Sequence, residues 1–191
     1  MWRGPASVTS TSSDFVAWST TGNLYTQDFD QVKTVIPLTS VSVNLSGSTS
    51  SVDNNPPTPT EVRDEMKITR SAPLVLTDFG FNSSGTILGI ELEIVGQRNN
   101  RISDWDIRLV HLGDKIGTNH SVKIERNSQD QPNYVPNTQR YGTSTDTWGA
   151  DLTSTVVNSA SFGVSIELVS HPITPHSDTA YIDSVLMRVF T

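Results

Sequence analysis

Two pairs of carboxylates are spaced closely enough to do chemistry. Asp104 and Asp106 are two residues apart, as are Glu91 and Glu93, so the members of each pair share one face if the segment is a β-strand. Two carboxylates that flank a sugar are what glycoside hydrolysis requires, and carboxylates joined by carbonyl oxygens can hold Ca²⁺. An alternating strand also places such residues on its solvated face with no further role. We favour this last interpretation, with a Ca²⁺ site as the alternative.

The four histidines offer no catalytic arrangement that the sequence singles out. They are His111, His120, His171 and His176. The chain has no Gly-x-Ser-x-Gly elbow and no His-Glu-x-x-His pair, so neither a hydrolase nor a zinc protease of those types is indicated. The absence of cysteine excludes disulfides and thiolate metal sites. We predict that the chain is not an enzyme and has no catalytic residue, metal or cofactor.

Four tryptophans suggest a sugar-stacking platform, as in a carbohydrate-binding module. They are Trp2, Trp18, Trp105 and Trp148. Such a platform needs several rings exposed on one face. Trp105 instead alternates with Ile107 and Leu109, so we predict that it is buried. Trp148 precedes Gly149 in a polar loop and is predicted to close the end of a β-sandwich, whereas Trp2 can anchor the N-terminal segment.

Charge and hydropathy narrow the class of partner. The 191-residue chain has a formal net charge of −7, whereas phosphate binding needs clustered Lys and Arg. We therefore expect no nucleic-acid partner. No apolar run reaches the length of a membrane span, and the opening MWRGPASVTSTSS contains no apolar signal core. We expect no membrane association and no signal-directed secretion.

Alternation of apolar and polar residues predicts a series of short strands. The stretches that show it are VSVNLSG, the pairs Leu74/Leu76 and Phe79/Phe81, GIELEIV, SDWDIRLVHL, FGVSIELV and AYIDSVLMRVF. The last stretch is apolar on both faces, which favours a central strand or one covered by a partner. In it, Tyr181, Val185 and Met187 are predicted to lie opposite Ile182 and Leu186. Because no segment has a helical period, we predict an all-β, antiparallel β-sandwich of jelly-roll type.

The first 70 residues differ from the rest, because apolar residues are sparse there and Ser, Thr, Pro and Asn dominate. We predict an extended N-terminal arm together with the first strands over residues 1–70, with a Pro/Ser-rich loop at 46–61, and a β-sandwich domain over 71–191. An arm of this kind usually frays or lies along a neighbour, for example by strand addition. The residues that we expect at such an interface are Trp2, Pro5, Ile36, Leu38, Val41 and Val43.

Five stretches of the C-terminal part, taken in order, resemble a β-sandwich module of tailed-bacteriophage structural proteins. They are TILGIELEI, ISDWDIRLVHLGDKIG, YGTSTDTWG, FGVSIELV and AYIDSVLMRVF, and the resemblance covers roughly residues 79–191. The opening WRGPASVTS is similar to the family's W-x-N-P start, with Gly4 in place of Asn, and Thr143 stands where the family more often has Gly. The structural signature residues that match are Tyr141, Gly142, Asp146, Trp148, Gly149, Phe162, Gly163 and Asp183.

The resemblance implies a virion structural protein. We expect a capsid cement or decoration protein on the outer surface of the capsid, assembled in the host cytoplasm, that forms a homotrimer and clamps neighbouring subunits of the major capsid protein. A tail, baseplate or fibre component is the first alternative, and a carbohydrate-binding module the second. In this interpretation the loop is structural: Gly142 and Gly149 supply backbone freedom, Trp148 fills the sandwich end, and Asp146 bonds loop amides.

Overall fold

The computed structural model describes residues 2–10, 41–47, 69–98, 102–122, 135–170 and 176–191. In these ranges the chain forms eleven strands and one short helix. They are β1 (Trp2–Arg3), β2 (Ser7–Ser10), β3 (Val41–Gly47), β4 (Thr69–Arg70), β5 (Leu74–Thr77), β6 (Gly89–Arg98), β7 (Ile102–His111), β8 (Asp114–Ile116), β9 (Val135–Gly142), α1 (Ser154–Val157), β10 (Gly163–Ser170) and β11 (His176–Phe190). Every strand pairing is antiparallel, which confirms the all-β prediction.

The strands pair as a folded ribbon. β3 pairs with β11, β5 with β10, β6 with β9, and β7 with β8, so each successive pair is nested within the one before it. Side-by-side placement of these pairs gives one sheet in the order β3-β11-β6-β9 and a second in the order β5-β10-β7-β8. Two sheets with this nesting form a jelly roll, in which two Greek keys cover a common core. The predicted sandwich type is therefore confirmed, as is the central position of the last strand.

The N-terminal residues link the two sheets. β1 adds to the edge of β11, where Trp2 pairs with Arg188, and β2 adds to the edge of β5. Between them, the Ala6 amide donates to the carbonyl oxygens of Thr77 and Asp78, at 3.1 and 3.0 Å. β4, the last described strand of the first 70 residues, pairs with β10. The described strands of the first 70 residues are thus strands of the sandwich, and residues 11–40 and 48–68 lie outside the described residues.

The core lies between the sheets and is built from the inward faces of the predicted alternating strands. Ile90 and Leu92 of β6 are fully buried, as are Leu74 and Leu76 of β5. β10 contributes Val164, Ile166 and Leu168. Where a strand keeps a strict two-residue period, its buried face is the predicted one. Two strands do not keep that period.

A β-bulge in β7 reverses the predicted orientation of Trp105. Asp106 pairs with Glu167, but the next residue of β10, Leu168, pairs with Asp104, so Trp105 is an extra residue with no partner in β10. The bulge shifts the alternation by one residue. The prediction that Trp105 is buried is therefore wrong: its side chain is 41% exposed, and the Arg70 guanidinium lies 4.6 Å from its ring centre.

A second bulge, at Asp183 of β11, corrects the predicted faces of the last strand. Ile182 pairs with Gly96 and Ser184 with Val95, so Asp183 is the extra residue. Before the bulge Ile182 points into the core and Tyr181 points outward, with 37% of its surface exposed. After it, Val185 and Met187 are buried. The prediction that Tyr181 shares a face with Val185 is wrong for this reason.

One short helix interrupts the loop between β9 and β10, where no helix was predicted. The side chain of Thr153 caps α1 by accepting a hydrogen bond from the Val156 amide. Val157 is its buried residue. A single turn such as α1 is too short to produce a 3.6-residue hydrophobic period, so the sequence pattern contains no sign of it.

Candidate functional site

The signature loop, YGTSTDTWG at residues 141–149, closes one end of the sandwich around Trp148. This side chain is fully buried in the main core, although its backbone has a φ of 59°. Its indole Nε1 donates to the Ile90 carbonyl at 3.0 Å, and its amide donates to Oδ1 of Asp146 at 2.7 Å. Its own carbonyl accepts from the amide and hydroxyl of Thr118, at 2.7 and 3.1 Å. Both ends of the residue are held by the surrounding loops.

Gly142 is required by the close approach of the loop to β6. Its φ is 71°, and a Cβ placed there would lie 2.2 Å from the Ile90 carbonyl oxygen and 2.5 Å from Nε1 of Trp148. A side chain would therefore displace the indole from its hydrogen bond. Gly149 also has a positive φ, 64°. Gly117, which sequence reasoning missed, approaches the Trp148 carbonyl in the same way, with a Cβ distance of 2.3 Å.

His120 packs against the loop, a position that sequence reasoning did not predict. Its ring stacks on Trp148 with centroids 4.1 Å apart. Nε2 lies 2.8 Å from Oδ2 of Asp146, and Nδ1 lies 3.2 Å from the Thr118 carbonyl. Both ring nitrogens are therefore engaged by groups of the loop. A general base needs a ring nitrogen that can reach the proton of its substrate, and this arrangement leaves none. The geometry is that of a packed structural histidine.

The segment that carries His120 also covers the edge of β7. Oδ1 of Asn119 accepts from the Ile107 amide at 3.0 Å, and its Nδ2 donates to the Trp105 carbonyl at 3.1 Å. The His120 amide donates to the Ile107 carbonyl at 2.9 Å. The side-chain amide of Asn119 thus takes the place of a peptide group in a neighbouring strand. Because uncovered strand edges promote aggregation, this contact protects β7 where β8 does not reach.

The remaining signature residues are Phe162, Gly163 and Asp183, and each has a different structural role. Phe162 is fully buried in the core. A Cβ at Gly163 would lie 1.8 Å from the Leu76 carbonyl oxygen, so only glycine fits at this point of the β10–β5 ladder. Asp183 is the bulged residue of β11. The loop gathers Tyr141, Gly142, Asp146, Trp148 and Gly149 at one place. Phe162 and Gly163 lie at the start of β10, and Asp183 lies in the middle of β11.

The bulge in β7 separates the two aspartates that the sequence placed on one face. Asp104 points into the sandwich, whereas Asp106 points to the outer side of its sheet, opposite Glu167. The two carboxylates therefore do not face a common ligand, which removes the basis for the glycosidase-type pair and for a Ca²⁺ site shared between them. Glu91 and Glu93 do share the outer face of β6, and each has a cationic partner. Arg188 lies 2.5 Å from Glu91, and Arg140 lies 2.7 Å from Glu93.

Asp104 is the centre of a buried polar cluster. Its Oδ1 accepts from Nη1 of Arg98 at 2.6 Å, and its Oδ2 accepts from the Tyr141 hydroxyl at 2.7 Å and from the Val122 amide at 3.3 Å. Burial of the phenol, followed by the adjacent Asp104 charge, raises the pKa of Tyr141. A small cavity of about 30 Å³ adjoins the cluster and is lined mainly by apolar side chains such as Ile94. This volume suits a water molecule or two rather than a substrate.

A second charge cluster lies on the outer face of the same sheet. Lys115 donates to Oδ2 of Asp106 at 2.6 Å and also to Glu167, and Nε of Arg108 donates to Oδ1 of Asp106 at 2.8 Å. Burial of the Lys115 ammonium lowers its pKa, but its hydrogen bonds to the two carboxylates and their charges outweigh that effect. The net result is a pKa above its ordinary value of 10.5. The cluster fastens the β7–β8 hairpin to β10.

Trp2 attaches the first strand to the outer face of the five-stranded sheet. The Arg188 guanidinium lies 4.7 Å from the centre of the Trp2 ring and 4.6 Å from that of Phe190. The Arg140 guanidinium lies 5.9 Å from the centre of the Trp2 ring. Trp2 is half-buried, so the chain's own arginines occupy part of the surface that was expected to contact a partner.

The other predicted interface residues are placed differently. Pro5 is buried between β1 and β2. Val41 and Val43 lie in β3, where their backbones pair with Ile182 and Ala180, and their side chains are not among the described ones. Ile36 and Leu38 lie outside the described residues. The interface that these six residues were predicted to form stays a prediction.

The described part of the chain contains neither a candidate metal site nor a candidate membrane-spanning helix. Among the described residues, no group of three or more His, Asp or Glu side chains is arranged to hold a metal ion. No helix in the same ranges is long and apolar enough to cross a membrane. Comparisons of the chain with protein-family models, with curated proteins and with solved structures found no match.

Proposed function

We propose that this chain is a structural protein of a tailed-bacteriophage virion, and specifically a capsid cement protein on the outer surface of the head. The observation that carries the proposal is the use of the signature loop. Trp148, Asp146 and His120 have their polar groups bonded to one another or to the backbone, so these residues act in packing and in holding the loop. A module of this kind acts through the surfaces that it presents, as a cement protein does.

The ion-pair and cation–π contacts favour a stiff module. Arg98 and Asp104 tie β6 to β7 inside the sandwich, and the Lys115 cluster ties β8 to β10 outside it. Strands β1 and β2 fasten the two sheets together at one edge. A protein that locks its neighbours must not deform itself, because any flexibility would reduce the strain that it can resist.

In the clamping mechanism, the free energy of binding of this chain stabilises the closed shell. A protein that binds only the assembled lattice stabilises that lattice by mass action, and an interface of standard size buries about 1,600 Å² in total. The net charge of −7 favours a basic surface on the major capsid protein as the partner. A homotrimer at a local threefold axis would let its three modules contact three capsid subunits through equivalent surfaces.

The copy number of this chain in purified virions tests the proposal. Quantitative mass spectrometry with labelled peptides of this chain and of the major capsid protein gives the ratio directly. A ratio near parity is the expected result for a shell-covering cement protein. A ratio of a few per cent would contradict cement and indicate a tail, baseplate or fibre component, and absence from the particle would refute both.

The carbohydrate-binding alternative lacks support in the described part of the chain. The two exposed aromatic side chains there are Trp105, on the six-stranded sheet, and Tyr181, on the five-stranded sheet. A sugar chain cannot stack on both at once, since they lie on opposite sides of the sandwich. Glycan-array binding that is lost in a Trp105→Ala variant would reverse this assessment.

A further inference from the structure

The turn between β7 and β8 has an unfavourable residue at its tip. His111 pairs with Asp114, so Leu112 and Gly113 form a two-residue turn, and their φ angles are 54° and 90°. A two-residue hairpin turn with both φ angles positive is of type I′, whose first position strongly prefers Asn, Asp or Gly. A leucine has no polar group with which to stabilise a left-handed backbone. The sequence therefore departs from what folding alone favours.

The other non-glycine residues with positive φ have local explanations that Leu112 lacks. Within the described ranges these are Asp78, with a φ of 59°, and Trp148. Aspartate tolerates the left-handed region because its short side chain can bond the nearby backbone. Trp148 is held there by burial and by its hydrogen bonds. The Leu112 side chain is 74% exposed, so no packing compensates for its backbone conformation.

The backbone of the turn has contacts on both sides, although the Leu112 side chain is exposed. The Leu112 amide donates to the Ser161 hydroxyl at 3.3 Å, and the hydroxyls of Ser159 and Ser161 lie 2.8 Å apart. On the other side of the turn, Lys115 is fixed by its ion pairs to Asp106 and Glu167. Because the backbone of the turn is already held in place, little backbone conformational freedom is lost when Leu112 binds a partner, which favours its use as an anchor residue at an interface.

We propose that Leu112 is a docking residue that inserts into an apolar socket with a basic rim on a neighbouring virion protein. The basic rim is inferred from Asp114, which follows the turn, is exposed and makes no ion pair with the described residues. A single leucine beside a carboxylate suits a protein pocket rather than a lipid surface, which needs a larger apolar face and basic residues. This proposal rests on the proposed virion function and names the contact through which it acts.

The test compares Leu112→Asn with wild type and with a control, Leu88→Asn. Leu88 is also exposed, at 51%, but it is not among the residues with positive φ. We expect the Leu112→Asn variant to melt about 2–4 °C higher than wild type, because asparagine suits the turn better. In a binding titration on virus heads assembled without this chain, the same variant should bind at least about tenfold more weakly, as for loss of an anchor residue. Leu88→Asn should bind like wild type.

Each outcome separates the two proposals. If wild type does not bind the heads, the cement proposal fails, and the docking proposal fails with it. If wild type binds and Leu112→Asn binds equally well, or if Leu88→Asn weakens binding as much, the docking proposal alone is refuted. If wild type self-associates in sedimentation experiments and Leu112→Asn does not, the socket belongs to a second copy of this chain, and the assignment to a different virion protein is wrong. A lower melting temperature for Leu112→Asn would also contradict it, since the leucine would then be needed for folding.

Discussion

Truncation of Trp148 to alanine should remove more stability than any other single change in the signature loop. The side chain is fully buried in the main core, and truncation of a buried Phe or Trp costs about 3–5 kcal/mol. For a chain of this size, 1 kcal/mol corresponds to about 2–4 °C, so the melting temperature should fall by roughly 6–20 °C. His120 loses its stacking partner in the same variant, which places the expectation in the upper half of that range.

Two further variants isolate the causes. Trp148→Phe keeps most of the buried ring but leaves the Ile90 carbonyl without its indole donor, and an unsatisfied buried polar group costs about 1–3 kcal/mol. Trp105→Ala makes the same truncation at an exposed position, where the contact with Arg70 is worth only about 0.5–1 kcal/mol. The expected order of destabilisation is therefore Trp148→Ala, then Trp148→Phe, then Trp105→Ala.

The assay is urea unfolding followed by circular dichroism, with thermal melts in parallel. The slope of free energy against urea should stay constant across the variants, since a changed slope would mean a changed denatured state. If Trp148→Ala unfolds within about 1 kcal/mol of wild type, the loss is typical of a surface residue. The claim that this residue closes the sandwich end would then be wrong, and the loop would need another role.

Three other changes test the buried cluster and the first strand. Because the pKa of Tyr141 is raised above its ordinary value of 10.0, the folded protein holds the phenol proton more tightly than the unfolded chain. The free energy of unfolding should stay constant below about pH 10 and fall above it. The Tyr141→Phe variant should show a smaller fall in melting temperature between about pH 8 and 11. An equal fall in the variant and in wild type would refute this. Asp104→Ala leaves Arg98 buried without its counterion and should cost about 3–5 kcal/mol in urea unfolding; a loss below 1 kcal/mol would show that the pair is solvated. Trp2→Ala should cost about 1 kcal/mol through lost contact with the arginines, with faster amide exchange in β1; unchanged exchange would contradict its anchoring role.

Alternation was sufficient to predict the fold class and most of the buried faces, because strands such as β6 and β10 keep their two-residue period throughout. The errors at Trp105 and Tyr181 have one cause. A bulge is set by the register between a strand and its partner, and in β7 that partner lies about sixty residues further along the chain. No local pattern records this register. Sequence alone therefore placed Asp104 on the wet face, although its side chain lies inside the sandwich.

The loop shows the same limit at the level of the site. The glycines and Asp146 could be assigned to a tight turn, because turn residues act on their immediate neighbours. His120 could not, since it meets Asp146 only after the β7–β8 hairpin and β9 have been placed against each other. The short strands β1, β2, β4 and β8 also escaped prediction, because two to four residues cannot establish a period. The longer β9 escaped because its sequence VPNTQRYG does not alternate apolar with polar residues, and the strand predicted at Phe79 and Phe81 is not formed, since both residues lie between β5 and β6.

The five-stranded sheet depends on β11, which follows all of the sheet's other described strands in the chain. β11 forms ladders with β1, β3 and β6. Trp2 of β1 therefore cannot form its strand pairing until Arg188 of β11 has been synthesised. Synthesis at about 5–20 residues per second leaves β1, the first of these strands, without its partner for on the order of 10–40 s. During that time the nascent chain exposes apolar segments and free strand edges. The five-stranded sheet can therefore form only after β11 has been synthesised, so slower synthesis at low temperature or a chaperone that shields the early strands should decide how much protein reaches the folded state.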